Sequence, residues 1–303
     1  MAHPALDRLG ENRQVAPDMT APEKWIAAAF GRDGLRAWAM HGARPDAQLA
    51  LPPRARAGWP DVQLALLADL PDDWRQPGQT LVVACGLKDA PYQAIPVAPG
   101  KLRPLPVPAE DARLDLFALS GLRQTAPPDV ICGDETRIAG FLAAHAGWDG
   151  VICLTGPQSC WAHISAGEVV SFQTFLTGEI YTAVSQNAPA VADWDMAAFT
   201  DAVEITLSRP EKLAAALASV RARDVLQDQS AQQAQARLWG ALIGAELAAA
   251  RPYWLGQQLA VIGPTEITAL YRAALEPQGV PTETAEDDQT TLAGLTAAWR
   301  QMQ

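Results

Sequence analysis

VICLTGPQSCWAHISAGEVVSFQTFLTGEIYTAV, residues 151–184, packs two strand-like runs, a Ser-Ala-Gly turn into a third, and two Thr-Gly loops into 34 positions. β-Branched and aromatic runs bounded by small turn residues read as hairpin strands. The second Thr-Gly, at 177–178, opens a helix whose first turn carries Glu179, an acid that the helix dipole favours there. A hairpin loop beside a helix start gathers backbone N–H groups in one place, which suits the handling of phosphates and sugar hydroxyls.

Upstream, the pattern predicts a strand at 25–30, a turn at 31–34 and a strand at 35–41. A Pro/Arg-rich connection around 52–60, a helix-like segment at 61–69 and a buried strand at 81–87 follow. Residues 91–108, PYQAIPVAPGKLRPLPVP, hold too much proline for a helix or a central strand and predict an extended loop, at the surface or lining a cleft. GDETR at 133–137 opens a helix expected over 134–146. Beyond residue 190 the Ala-rich segments EKLAAALASVRARDVL and SAQQAQARLWGALIGAELAAA favour helix intrinsically. QQLAVIG then reads as a last buried strand and TTLAGLTAAWRQM as a terminal helix, while Gly240 and Gly244, four apart, fit close packing of another element.

The chain has 303 residues, room for two domains, and its 49% hydrophobic and 19% charged content is that of a folded protein. A formal net charge of −11 argues against non-specific binding to nucleic acid or an anionic membrane. Cys85, Cys132, Cys153 and Cys160 show no CxxC or Cys/His metal spacing and read as buried reduced thiols. His41, His145 and His163 are isolated and read as ordinary histidines. Residues 1–23 are polar and Pro-dotted, without an apolar signal-like core, and predict a flexible extension before the fold starts near Lys24. A cytoplasmic protein is the default expectation.

WIAAAFGRDGLRAW at 25–38, GDETR, TFLTGE at 174–179, WGALIGAEL at 239–247 and GPTEITALYRAAL at 263–275, with the opening stretch, carry a resemblance. Over about residues 24–300 the chain resembles the 2-dehydro-3-deoxygalactonokinases, sugar-acid kinases of the actin/hexokinase/Hsp70-like ATPase superfamily. The resemblance implies an α/β, two-lobed fold with ribonuclease H-like lobes and a central cleft, its lobes at 24–130 and 131–303. It also implies ATP-dependent phosphorylation of 2-dehydro-3-deoxy-D-galactonate with Mg²⁺, with a small-molecule sugar acid as partner, and allows a homodimer.

Such a kinase needs a carboxylate to orient the attacking hydroxyl and take its proton. Glu135 and Asp134 are the candidates, and both equally suit the acidic first turn of a helix. By resemblance Arg36, Thr136, Thr177, Gly178 and Glu179 would meet the substrate, and Gly31, Asp33, Gly156, Ser159 and Gly263 the nucleotide. Lys88 and Asp89, in the loop after the strand at 81–87, could face the sugar acid or solvent.

Some positions depart from the family pattern. Ala29 stands where an Asp is expected, and Cys132 where Arg begins an Arg-Gly-Glu-Glu-Thr-Gln run. Pro157, Gln158 and Cys160 replace Thr, His and Lys. They leave open an alternative in which the chain binds the sugar acid as a regulatory module without turning over ATP.

Overall fold

The computed structural model describes residues 22–32, 34–53, 62–185 and 193–303. The expected N-terminal extension up to residue 21, Asp33 and most of the Pro/Arg-rich connection lie outside the described residues.

The first half runs β1 (Lys24–Gly31), β2 (Gly34–His41), β3 (Arg44–Leu51), α1 (Val62–Ala65), β4 (Thr80–Cys85), β5 (Tyr92–Ala94), β6 (Leu105–Val107), β7 (Leu114–Ala118), β8 (Gly121–Thr125) and β9 (Pro128–Ile131). Then come α2 (Asp134–Ala144), β10 (Gly150–Leu154), β11 (Ser159–Ser165), β12 (Glu168–Phe175), α3 (Thr177–Val184), α4 (Met196–Ser208), α5 (Leu213–Leu226), α6 (Ala231–Ala249) and α7 (Arg251–Trp254). The chain closes with β13 (Leu259–Gly263), α8 (Thr265–Leu275), β14 (Thr282–Glu286) and α9 (Asp287–Arg300). The Pro-rich stretch expected as a loop contains the short strands β5 and β6.

One sheet has the order β3-β2-β1-β4-β7-β6, and another β12-β11-β10-β13-β14. In each, a meander of three antiparallel strands is extended by two strands parallel to its first, so the second sheet repeats the plan of the first. The shared central strands β1, β4, β10 and β13 are near-continuous apolar runs because both their faces are covered.

Alternation decides what each face meets. Ala27 and Ala29 of β1 join Ile152 and Leu154 of β10 in one core, with Ile138 and Phe141 of α2 and Leu295 and Trp299 of α9. Ile26, Ala28 and Phe30 turn to a separate core with Leu66, Leu67 and Leu70. α2 and α9 therefore lie against each other between the two sheets, and α9 also packs on β1 and β4. Their closeness depends on two glycines: a Cβ on Gly140 would come within 1.9 Å of the Thr290 carbonyl oxygen, and one on Gly294 within 2.0 Å of that of Thr136.

In the second half, α6 starts on a capping box in which Ser230 and Gln233 exchange side-chain and backbone bonds. Gly240 and Gly244 lie against the backbone of α4, as close-packing glycines should. The four cysteines are unbridged, three buried and Cys132 half-buried.

Candidate functional site

The ends of β1 and β10 and the start of α2 surround a cleft of about 880 Å³. From the first sheet it is lined by Ala29 to Arg32 and by Arg36, and from the second by the loop Thr155 to Gln158. Asp134, Arg137 and Asp287 complete its polar wall, while Lys88, Tyr92 and Cys132 line the side nearest β4 and β9. Cleft and strand ends coincide because a turn after a central strand is where backbone and side chains are freed from the sheet.

Of the nucleotide candidates, Gly31 and Gly156 line the cleft. Ser159 is buried at the head of β11, and Gly263 is pressed against Thr155, where a Cβ would meet Oγ1 at 2.1 Å. Asp33 is outside the described residues. Ala29, 4% exposed, offers no ligand atom, and Pro157 presents no N–H.

Of the substrate candidates, Arg36 faces the cleft. Thr177 points inward instead, donating to Glu246, whose carboxylate also accepts from Trp161 Nε1 at 2.7 Å and Tyr271 OH at 2.8 Å. A Cβ on Gly178 would lie 2.4 Å from the Gly156 carbonyl oxygen, so this glycine lets α3 seat directly under the loop at 155–158. Glu179 reaches the rim, accepting from Gln158 Nε2 at 2.7 Å and pairing with Arg32 across the cleft at 2.8 Å.

The acid pair of GDETR is split. Gly133 takes a φ of 102°, a conformation open to glycine, and starts α2 with Asp134 toward the cleft. Glu135, 1% exposed, turns back into the fold: Oε2 accepts from the Gly133 N–H at 2.8 Å and Oε1 from Thr136 Oγ1 at 3.2 Å. Thr136 is buried with it, against α9. The acid that closes the helix start thus departs from the cleft-facing role expected of it, because neighbouring helical residues are set about 100° apart around the axis.

Burial pushes the Glu135 carboxyl up to about 8 from 4.5, helped by the nearby Asp134 charge and opposed by its backbone hydrogen bonds. Between those values the folded state holds a proton that the unfolded chain has released. Stability is therefore fully present below about pH 4.5 and declines toward pH 8, by up to ~1.4 kcal/mol per pH unit. Glu135→Gln, always neutral, should flatten this part of the profile. Melting temperatures measured from pH 5 to 9 check it, and an identical slope in the variant would contradict the assignment.

Two residues that sequence patterns passed over, Arg137 and Asp287, form the centre of the cleft's ion-pair network. Arg137 Nη1 donates to the Thr155 carbonyl oxygen at 3.2 Å and to Asp287 Oδ1 at 2.8 Å, and Nη2 bonds Asp134. Arg36 Nη1 bonds the other Asp287 oxygen and also Asp288, which accepts from Gln48 Nε2 at 2.8 Å. Burial works against ionisation of Asp287, and Arg137 with Arg36 outweighs it, leaving its carboxyl below the usual range. Arg137 stood in GDETR, three residues from Asp134 and so on the same helix face. Asp287 gave only the signal of an acidic helix start.

A duplicated sheet plan with a large cleft at its strand ends defines the two-lobed actin/hexokinase/Hsp70-like ATPase fold. Component A of (R)-2-hydroxyglutaryl-CoA dehydratase from Acidaminococcus fermentans shares it at a TM-score of 0.55, with 10% identity over 93% of this chain and 99% of that one. The family model of the 2-keto-3-deoxy-galactonokinases matches residues 30–298, and the chain belongs to that family. It is 31% identical to a 2-dehydro-3-deoxygalactonokinase candidate of Rhizobium meliloti (strain 1021), over 93% of this chain and 98% of the relative. It is 27% identical to the 2-dehydro-3-deoxygalactonokinase of Escherichia coli (strain K12), over 91% and 97%. The crystal structure of a candidate kinase of that name from Sinorhizobium meliloti superposes with a TM-score of 0.79 at 30% identity, over 91% of this chain and 96% of that one. Among the described residues no helix is long and apolar enough to cross a membrane.

Proposed function

We propose that this chain transfers the γ-phosphoryl group of ATP to the terminal hydroxyl of 2-dehydro-3-deoxy-D-galactonate. The observation that carries this, beside family membership, is the placement of the Asp134 carboxylate in the cleft between the β1–β2 and β10–β11 turns. Asp134 orients the attacking hydroxyl and accepts its proton as the new O–P bond forms and the bond to ADP breaks. Arg137 holds the acid in place.

ATP-fold kinases typically take the nucleotide with Mg²⁺. Here Ala29 supplies no carboxylate, and Asp134 and Asp287 are already bound to Arg137. Among the described residues no three His, Cys, Asp or Glu side chains could hold a metal ion. The described residues do not form a protein-held metal site.

Lys88, exposed on the cleft wall near β4, is the cation we assign to the substrate carboxylate. A coupled assay of ADP release from ATP and 2-dehydro-3-deoxygalactonate tests the reaction. Lys88→Met should raise the KM for the sugar acid about tenfold or more and leave the KM for ATP unchanged. Sugar-acid binding without phosphate transfer would overturn the kinase assignment in favour of a binding module.

A further inference from the structure

Two guanidinium groups close on one carboxylate inside the cleft. Arg36 reaches Asp287 from β2, where it is the cross-strand partner of Ala29, and Arg137 reaches it from the first turn of α2. Arg137 simultaneously touches the Thr155 carbonyl oxygen, at the head of the facing loop. The bonds therefore meet at the point where the two turn regions of the sheets approach each other. Planar guanidinium forks match carboxylate and phosphate oxygens alike, and a pair of them is stronger and more selective than a single ammonium.

Strands β1 and β2 carry no acidic side chain, and position 29 is alanine. Negative charge comes from α9, through Asp287 with Asp288 behind it, and from Asp134 at the start of α2, which bonds the other Arg137 nitrogen.

We infer that Arg36 and Arg137 form a phosphoryl clamp, and that Asp287 occupies it as an internal anion which the terminal phosphates of a nucleoside triphosphate displace. This rests on the kinase reading and adds a consequence to it: phosphate charge is met by two arginines of the chain, so nucleotide binding needs little help from a divalent cation. Displacement leaves Asp287 beside Asp288 at the start of α9, where helix N–H groups favour both acids.

Calorimetric titration of ATP and of inorganic tripolyphosphate, each with Mg²⁺ and with chelator, tests the clamp. Wild type should bind both ligands, with affinities that change less than about tenfold when Mg²⁺ is removed. Arg137→Gln should weaken both by about 10- to 100-fold, the worth of a hydrogen bond to a charged group. Asp287→Asn removes the competing charge and should tighten both. That variant keeps Arg36 and Arg137 in place and decides the matter even if Arg137→Gln does not fold.

Weaker binding in Asp287→Asn would overturn the clamp and make Asp287 a direct or metal-mediated ligand of the nucleotide. So would the absence of ATP binding in wild type, or an Arg137→Gln variant that folds and binds within twofold of wild type. Failure of the kinase reading looks different: ATP binds as described, yet no phosphate reaches the sugar acid.

Discussion

Asp134→Asn should lower the turnover of 2-dehydro-3-deoxygalactonate by about 10²- to 10⁴-fold, the usual worth of a positioned general base. An amide keeps the size of the side chain and can still accept from Arg137, so the cleft wall stays standing. What it loses is the capacity to take the hydroxyl proton. Steady-state kinetics should therefore show kcat falling while the KM for ATP stays within a few fold. Glu135→Gln serves as the paired control. Its side chain is sealed behind the Gly133 N–H and Thr136, so turnover should hardly change while the pH dependence of stability does. Equal kcat losses in the two variants would mean that the acids act together and would remove Asp134 from its separate role.

Alanine at Gly140 or Gly294 should cost several kcal/mol of stability. At either site the new Cβ would sit about 2 Å from a carbonyl oxygen of the opposing helix, a contact that a side-chain rotamer change cannot relieve. Overpacking a tight core typically costs about 1–3 kcal/mol, and these clashes are with backbone. At roughly 2–4 °C per kcal/mol for a domain of 150 to 250 residues, each variant should melt about 5 °C or more below wild type. Because α2 carries Asp134 and Arg137 and α9 carries Asp287, activity should fall too. A variant that melts within about 1 °C of wild type would show that the helices can part without cost.

The central strands were legible in sequence because they are apolar on both faces. The predicted strands at 25–30 and 35–41 lie inside β1 and β2, and QQLAVIG contains β13. The edge strands β3 and β14 were not. β3, RPDAQLAL, and β14, TETAE, are largely exposed and polar, so their extended shape comes from pairing with β2 and β13 and leaves no hydrophobic pattern behind.

The site was legible to the level of loops, with Gly31, Arg36, Asp134 and Gly156 reaching the cleft. Which of two adjacent acids faces it depends on helix phase, and the phase is set by the positive φ of Gly133 and the packing of α9, neither visible in a tetrapeptide. Thr177 belongs to a hydroxyl-rich motif that looks ligand-binding from sequence. Its partner Glu246 lies 69 positions away and is found only in space.

Trp25 and Trp299 stack with ring centroids 5.4 Å apart, and Trp299 Nε1 donates to the Pro22 carbonyl oxygen across 277 positions of sequence. For a chain emerging from a ribosome at about 5–20 residues per second, that spacing is a wait of roughly 14–55 seconds. Through that interval β1 and β4, and later β10 and β13, present an apolar surface whose cover, α9, has not yet been made. The first-made sheet must therefore persist as an unfinished half, its apolar face waiting for the last helix of the chain.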